Sequence, residues 1–203
     1  MLDKAVRPLL ERLHTPMATL LGRSVHPHAI SLVGFALGMG CALALVGGWY
    51  AAAILLWVLN RAADGLDGTL ARFSGAQSDF GGFLDIMLDF LVYAAVPIAL
   101  VAGLPPALES RSALPLTLLL ASFYVNAASW MYPAALIEKR GRLDQQATSI
   151  VMPSGLIEAT ETFVLFSVLI LLPQWTPELM WLMTFLVLVT VAQRIYWVGK
   201  TLR

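Results

Sequence analysis

Apolar residues run through this 203-residue chain in stretches long enough to cross a bilayer, interrupted by Gly, Pro and small groups of charges. A spanning helix needs roughly 20 mostly apolar residues. Six stretches have that character, at 29–51, 52–73, 79–103, 113–137, 154–173 and 177–198. Their ends carry stop and start signals: Pro27 precedes the first and Ser31 can cap it, Gly47 and Gly48 close it, and Pro105 with Pro106 breaks the chain after the third. Pro153 and Ser154 open the fifth, and Pro173 and Pro177 bracket the last tight turn. The pattern predicts an all-α integral membrane protein with six transmembrane helices.

Residues 1–24 read differently. Leu2, Val6, Leu9, Leu10 and Leu13 recur at helical spacing among Lys4, Arg7, Glu11 and Arg12, which predicts an amphipathic helix lying in the interface. The charged stretch is too long for a cleaved signal peptide. The organisation expected is an interfacial segment over 1–24 and a six-helix transmembrane catalytic domain over 25–203.

Composition fits this picture. Hydrophobic residues make up 59% of the chain and charged residues 13%, too few charges to clothe a soluble globule of this length. Thirteen basic residues balance thirteen acidic ones, so no bulk attraction to nucleic acid is expected. Cys41 is the only cysteine and can form no internal disulfide. Basic residues set the orientation. Lys4, Arg7, Arg12, Arg23, Arg72, Lys139, Arg140, Arg142, Lys200 and Arg203 all fall on one side if the N-terminus is inside, and the opposite loops carry only Arg111. Both termini are expected in the cytoplasm. Trp49, Tyr50, Trp175 and Trp181 then form an aromatic belt at the far interface.

The second and third stretches hold charges that the bilayer penalises. Asp64, Asp67, Arg72, Asp85 and Asp89 lie within them, and a charge near the bilayer centre costs about 2.5–3.5 kcal/mol on the insertion scale. Asp64 and Asp67 are three apart and share a helix face, while Gly81, Asp85 and Asp89 form a stripe at intervals of four. Two adjacent antiparallel helices would offer four carboxylates to one cavity. With Arg72 the local charge is minus three, four negative less one positive. Such a group stays ionised only with cations nearby, and all-oxygen ligation suits Mg²⁺, Mn²⁺ or Ca²⁺ better than zinc. Two divalent metals are a common clamp for chemistry at phosphorus. Gly68, Ala71 and Gly81 either allow close helix packing or let a flat ligand approach the backbone. Arg72 suits phosphate binding.

These residues, Asp64-x-x-Asp67-Gly68-x-x-Ala71-Arg72, then eight residues, then Gly81-x-x-x-Asp85-x-x-x-Asp89, resemble the complete signature of the CDP-alcohol phosphotransferases. The resemblance implies transfer of a substituted phosphate from a CDP-linked donor to an alcohol with release of CMP. It implies that Asp64, Asp67, Asp85 and Asp89 hold two divalent cations, Mg²⁺ or Mn²⁺, and that Asp89 is also the general base. Asp67, Gly68, Ala71, Arg72 and Gly81 would frame the cytidine diphosphate. The leading expectation is a phospholipid-synthesising enzyme of the bacterial inner membrane that uses CDP-diacylglycerol and a small polar alcohol. Its site would open to the cytosol, and a homodimer is implied by what is common in the family. A CDP-choline or CDP-ethanolamine donor with diacylglycerol as acceptor is the same-class alternative, and a divalent-cation transporter is the alternative from another class.

The acceptor is left open among glycerol phosphate, serine, inositol phosphate, choline and similar alcohols. Phe90 stands where glycerophosphate-using members often have Lys, and Pro97 eight residues after Asp89 is similar to the serine- and choline-using branches. Lys139, Arg140 and Arg142 serve topology and lipid anchoring, or else bind an acceptor phosphate. Arg61 and Arg194 are further acceptor candidates. Glu158 and Glu161 suit the positive end of a helix or a part in acceptor recognition. Ser78 or Asp79 would cap the third helix, and His14, His26 and His28 read as interfacial polar residues.

Overall fold

The computed structural model describes residues 12, 14–22, 25–139 and 155–201, and every regular element among them is helical. We number the helices α1 (Pro27–Val46), α2 (Tyr50–Ser74), α3 (Asp79–Ala102), α4 (Pro106–Lys139), α5 (Ala159–Leu171) and α6 (Thr176–Thr201), with a short 3-10 turn at Pro173–Trp175 before α6. A further helical stretch covers residues 14–21. The remainder of the amphipathic segment expected over 1–24 lies largely outside the described residues, as do Arg140 and Arg142.

Pro27 at the first turn sets α1, and the His26 imidazole Nδ1 accepts the His28 backbone N–H at 3.3 Å. His26 is therefore the N-cap, and Ser31 is released for another task. Gly48 and Gly75 take positive φ, +70° and +66°, at the turns flanking α2, a conformation open to glycine without strain. Ser78 wins the cap of α3, its Oγ accepting the Gly81 N–H at 3.0 Å.

Among the described residues, four segments are long and apolar enough to cross a membrane: Pro27–Val46, Asp79–Ala102, Pro106–Lys139 and Pro173–Thr201. The protein is an integral membrane protein. The other two predicted spans differ for distinct reasons. Helix α2 has 25 residues, about 37 Å at 1.5 Å per residue, so it has the length, but Arg61, Asp64, Asp67 and Arg72 make it polar. Helix α5 has only 13 residues, about 20 Å, because its first turn begins at Ala159 rather than near Ser154. Helix α4 is longer than expected at 34 residues, running through Pro115 and Pro133.

The core explains how the helices are placed. Trp57 of α2 is fully buried against Phe163 and Phe166 of α5, ring centroids 6.1 and 5.4 Å away, and against Tyr93 of α3 at 6.2 Å. Its indole N–H donates to Ser167 Oγ at 3.2 Å, which satisfies the polar edge of the ring. Helix α6 packs along α4. Helix α1 lies against both α2 and α3, which make far fewer backbone approaches to each other than either makes to α1.

Candidate active site

The signature helices are thus not a tightly packed pair. Helix α1 crosses both, and small residues allow it to do so. A Cβ at Gly34 would stand 3.3 Å from the Ala63 Cβ, and one at Gly38 would stand 2.6 Å from Val92 Cγ2 and 3.1 Å from Asn60 Nδ2. The wedge leaves a cleft of about 240 Å³ between α2 and α3. Ser31, Gly34 and Phe35 line it from α1; Asn60, Arg61, Asp64 and Asp67 from α2; Asp85, Leu88, Asp89 and Val92 from α3. Helical periodicity turns each of these sets to one side, so all four signature carboxylates reach the same space. It is a narrow cleft that suits the reacting end of a larger molecule.

Each carboxylate has distinct surroundings. Asp67 is buried and accepts a short hydrogen bond from the Ser31 hydroxyl, which ties α1 to α2 at the site. Asp64 and Asp85 line the cleft from opposite sides, one from α2 and one from α3. Asp89 is paired with Arg61, whose Nη2 donates to Oδ1 at 2.7 Å. The same guanidinium donates from Nε to Asn60 Oδ1 at 2.7 Å and from Nη1 to the Tyr93 hydroxyl at 3.0 Å, and lies 3.6 Å from Asp64 Oδ2. It also rests on the rings of Trp57 and Tyr93, with its central carbon 5.1 and 5.0 Å from their centroids. Asn60 is held in turn by donating from Nδ2 to the Gly34 carbonyl at 2.8 Å.

The remaining signature residues lie on α2 and α3 outside the lining of the cleft. A Cβ at Gly68 would meet only the Arg72 Nη1, at 3.5 Å. Arg72 is exposed and donates from Nη2 to Thr69 Oγ1 at 3.2 Å. Gly81 lies at the first turn of α3, where a Cβ would stand 3.2 Å from His28 Nε2. Ala71 is partly buried one turn beyond Asp67 on α2.

The other sequence candidates lie elsewhere. Lys139 is exposed at the end of α4. Glu158 is the N-cap of α5 and makes a reciprocal capping box with Glu161; its Oε1 also accepts the Gly155 N–H at 3.1 Å. Arg194 is buried on α6 and donates from Nη1 to Asn126 Oδ1 of α4 at 2.8 Å. None of these lines the carboxylate cleft, whereas Arg61 is at its centre.

Spacing alone overlooks several functional neighbours. Asn60 precedes Asp64 by one turn on the same stripe, a signal present in the sequence. Tyr93 likewise follows Asp89 by one turn on the stripe of Gly81, Asp85 and Asp89, and Trp57 precedes Arg61 by one turn, whereas Ser31 has no such signal, because it meets the site only through packing between helices. His14 is a further case: it is buried, and a Cβ at Gly65 would collide with its imidazole ring. The helical stretch 14–21 therefore docks on α2 beside the acids.

The donor set fits a hard divalent cation. Its charged acceptors are four carboxylates in one cleft, a set that favours a cation among them. Among the described residues, no three acidic, His or Cys side chains converge closely enough to enclose an ion by themselves. The Arg61 guanidinium lies within ion-pair distance of both Asp64 and Asp89.

Residues 24–193 match the family model of CDP-alcohol phosphatidyltransferases, and the chain belongs to that family of enzymes. The Inner membrane protein YnjF of Escherichia coli (strain K12) is 39% identical over 179 residues, which cover 86% of this chain and 84% of that protein. The phosphatidylinositol phosphate synthase of Corynebacterium glutamicum is 29% identical over 193 residues, covering 92% of this chain and 84% of the relative. The crystal structure of Mycobacterium tuberculosis phosphatidylinositol phosphate synthase with CDP-DAG bound has the same fold, with a TM-score of 0.72 at 24% identity over 92% of this chain and 94% of that one. The structure of that protein in complex with manganese and citrate matches with a TM-score of 0.71 at 22% identity, over 92% and 88%.

Proposed function

We propose that the protein transfers the phosphatidyl group of CDP-diacylglycerol to a small polar alcohol and releases CMP. The observation that carries this reading is the convergence of Asp64, Asp67, Asp85 and Asp89, from two helices, on one cleft. The four carboxylates would hold divalent cations, Mg²⁺ or Mn²⁺, and relatives of the same fold support this, one with CDP-DAG bound and one with manganese. When bound, such cations offset the negative charge of the carboxylates and of the diphosphate.

The residues of the chain divide the remaining work. Asp67 with Gly68, Ala71, Arg72 and Gly81 would position the cytidine diphosphate, with small side chains admitting it to the helix backbone and Arg72 countering its charge. Asp89 would take the proton of the acceptor hydroxyl as the new oxygen–phosphorus bond forms, while the bond to the CMP oxygen breaks and CMP leaves with that electron pair. Ser31 holds the Asp67 carboxylate, and Arg61 holds that of Asp89. Six helices spanning the bilayer with both termini in the cytoplasm would open the site to the cytosol, and the protein would act as a homodimer. Two of the proteins compared are named phosphatidylinositol phosphate synthases, which makes inositol phosphate the first acceptor to try. Lys139 with Arg140 and Arg142, and Arg194, are the groups whose substitution should raise KM for a charged acceptor.

The test is CMP release by purified protein with CDP-diacylglycerol, Mn²⁺ or Mg²⁺ and a panel of alcohols. Activity should vanish on chelation, return on adding either ion, and fall by about 10²–10⁴-fold in Asp89→Asn. Absence of CMP with every acceptor and with CDP-choline plus diacylglycerol would refute the reading.

A further inference from the structure

We infer that Arg61 is the resident counter-ion of the carboxylate quartet and a positioning residue for Asp89, fixing the base while weakening the hold of the site on a divalent cation. The inference rests on the proposed metal-dependent transfer. It assigns a part in it to a residue outside the eight signature positions.

The guanidinium is partly buried, with 12% of the side chain exposed, and it is almost fully committed. One edge holds Asp89 at 2.7 Å, Nε is fixed by Asn60 at 2.7 Å, and Nη1 reaches the Tyr93 hydroxyl at 3.0 Å. The rings of Trp57 and Tyr93 support the plane. A planar fork on aromatic surfaces has little freedom left, so the carboxylate that it binds is fixed as well. Packing alone does not explain the residue, because an apolar side chain would fill the space against Trp57 and Tyr93 without the desolvation penalty of a buried charge. Arg72 on the same helix shows the contrast: it extends to the surface and bonds an exposed threonine.

Charge gives the second half of the inference. Four carboxylates carry minus four, and Arg61 reduces the cleft to minus three. A divalent ion entering beside Asp64 and Asp89 meets a fixed positive charge that already touches both. Its binding is weaker than four carboxylates alone would give, and the site keeps Asp89 oriented before any ion or substrate arrives.

The test titrates Mn²⁺ into chelator-stripped, detergent-purified protein by calorimetry without substrate, alongside CMP-release kinetics. Arg61→Met keeps length and contact with the rings but removes the charge. It should bind Mn²⁺ about tenfold more tightly or better, while kcat falls at least about tenfold and KM for CDP-diacylglycerol changes by less than about threefold. A folded Arg61→Met protein with unchanged or weaker Mn²⁺ binding overturns the inference. Arg61→Lys keeps the charge without the fork, so Mn²⁺ affinity should stay within about threefold and kcat should still fall. Wild-type kcat in Arg61→Lys overturns the positioning role even if the Met variant fails to fold. Wild-type protein that binds no Mn²⁺ refutes the metal reading itself, a result distinct from either of these.

Discussion

Gly38 of α1 passes Val92 of α3 with no space for a methyl group, since a Cβ there would stand 2.6 Å from Val92 Cγ2 and 3.0 Å from Cγ1. This crossing holds α1 as the wedge between the two acidic helices. Gly38→Ala should destabilise the protein by about 1–3 kcal/mol through overpacking and lower CMP release by shifting α3. The double variant Gly38→Ala with Val92→Ala should recover most of the loss in thermal unfolding in detergent. Equal melting of Gly38→Ala and wild type would show that the crossing is loose.

Asn60 links the wedge to the counter-ion, donating to Gly34 and accepting from Arg61. Asn60→Ala removes both bonds at a position 2% exposed and should cost about 1–3 kcal/mol. Because Arg61 then loses one of its fixed contacts, kcat should fall in the same variant while KM for CDP-diacylglycerol is little changed. Paired melting and kinetic measurements check both effects.

His14 should make stability depend on pH. Burial, and then the positive charge of Arg72, hold its imidazole below the usual histidine range, so it stays neutral where it docks against Gly65. A histidine released by unfolding takes up a proton as pH falls through about 6.5. The unfolded state then binds more protons than the folded one, and stability falls with decreasing pH. The wild type should lose melting temperature between about pH 7 and 5.5, and His14→Gln should show a shallower slope. Identical slopes would remove His14 as the cause. Gly65→Ala should displace the same ring and loosen the segment 14–21 at every pH.

Glu158 caps α5 in place of the usual serine or threonine. Glu158→Ala should cost about 0.5–2 kcal/mol, and Glu158→Ser should restore part of that loss. An effect confined to KM for the acceptor, with melting unchanged, would instead place the carboxylate in acceptor recognition.

Much of the site was legible because it repeats along single helices. Asp64 and Asp67 at three residues, and Gly81, Asp85 and Asp89 at four, announce shared faces whatever surrounds them, and their cost in a bilayer marks them as functional. The helix breaks at Gly48, Pro105 and Pro106 were readable for the same local reason, whereas the turn at Gly75 was not singled out. The cap of α1 was not: Ser31 looked like a capping residue, and His26 takes that place, leaving the serine hydroxyl to Asp67. Spans two and five show the limit of apolar counting. Helix α2 carries four charges inside a helix of full length, and α5 starts late because Glu158 and Glu161 close its first turn.

The sequence by itself determined the solvent and the chemistry: long apolar stretches that demand a bilayer, and acids at helical spacing that demand cations. Only the tertiary structure decided which residues serve those acids. Helix α1 separates α2 from α3, so the carboxylates line a gap rather than a packed seam, with Ser31 of α1 bonded to Asp67, and Asn60 of α2 and Tyr93 of α3 bonded to the Arg61 that holds Asp89. Arg61 changes from one basic residue among thirteen into the partner of Asp89. The physical reason is that spacing along a helix fixes direction, whereas partnership between helices depends on which side chains are small enough, as at Gly34 and Gly38, to let the backbones close.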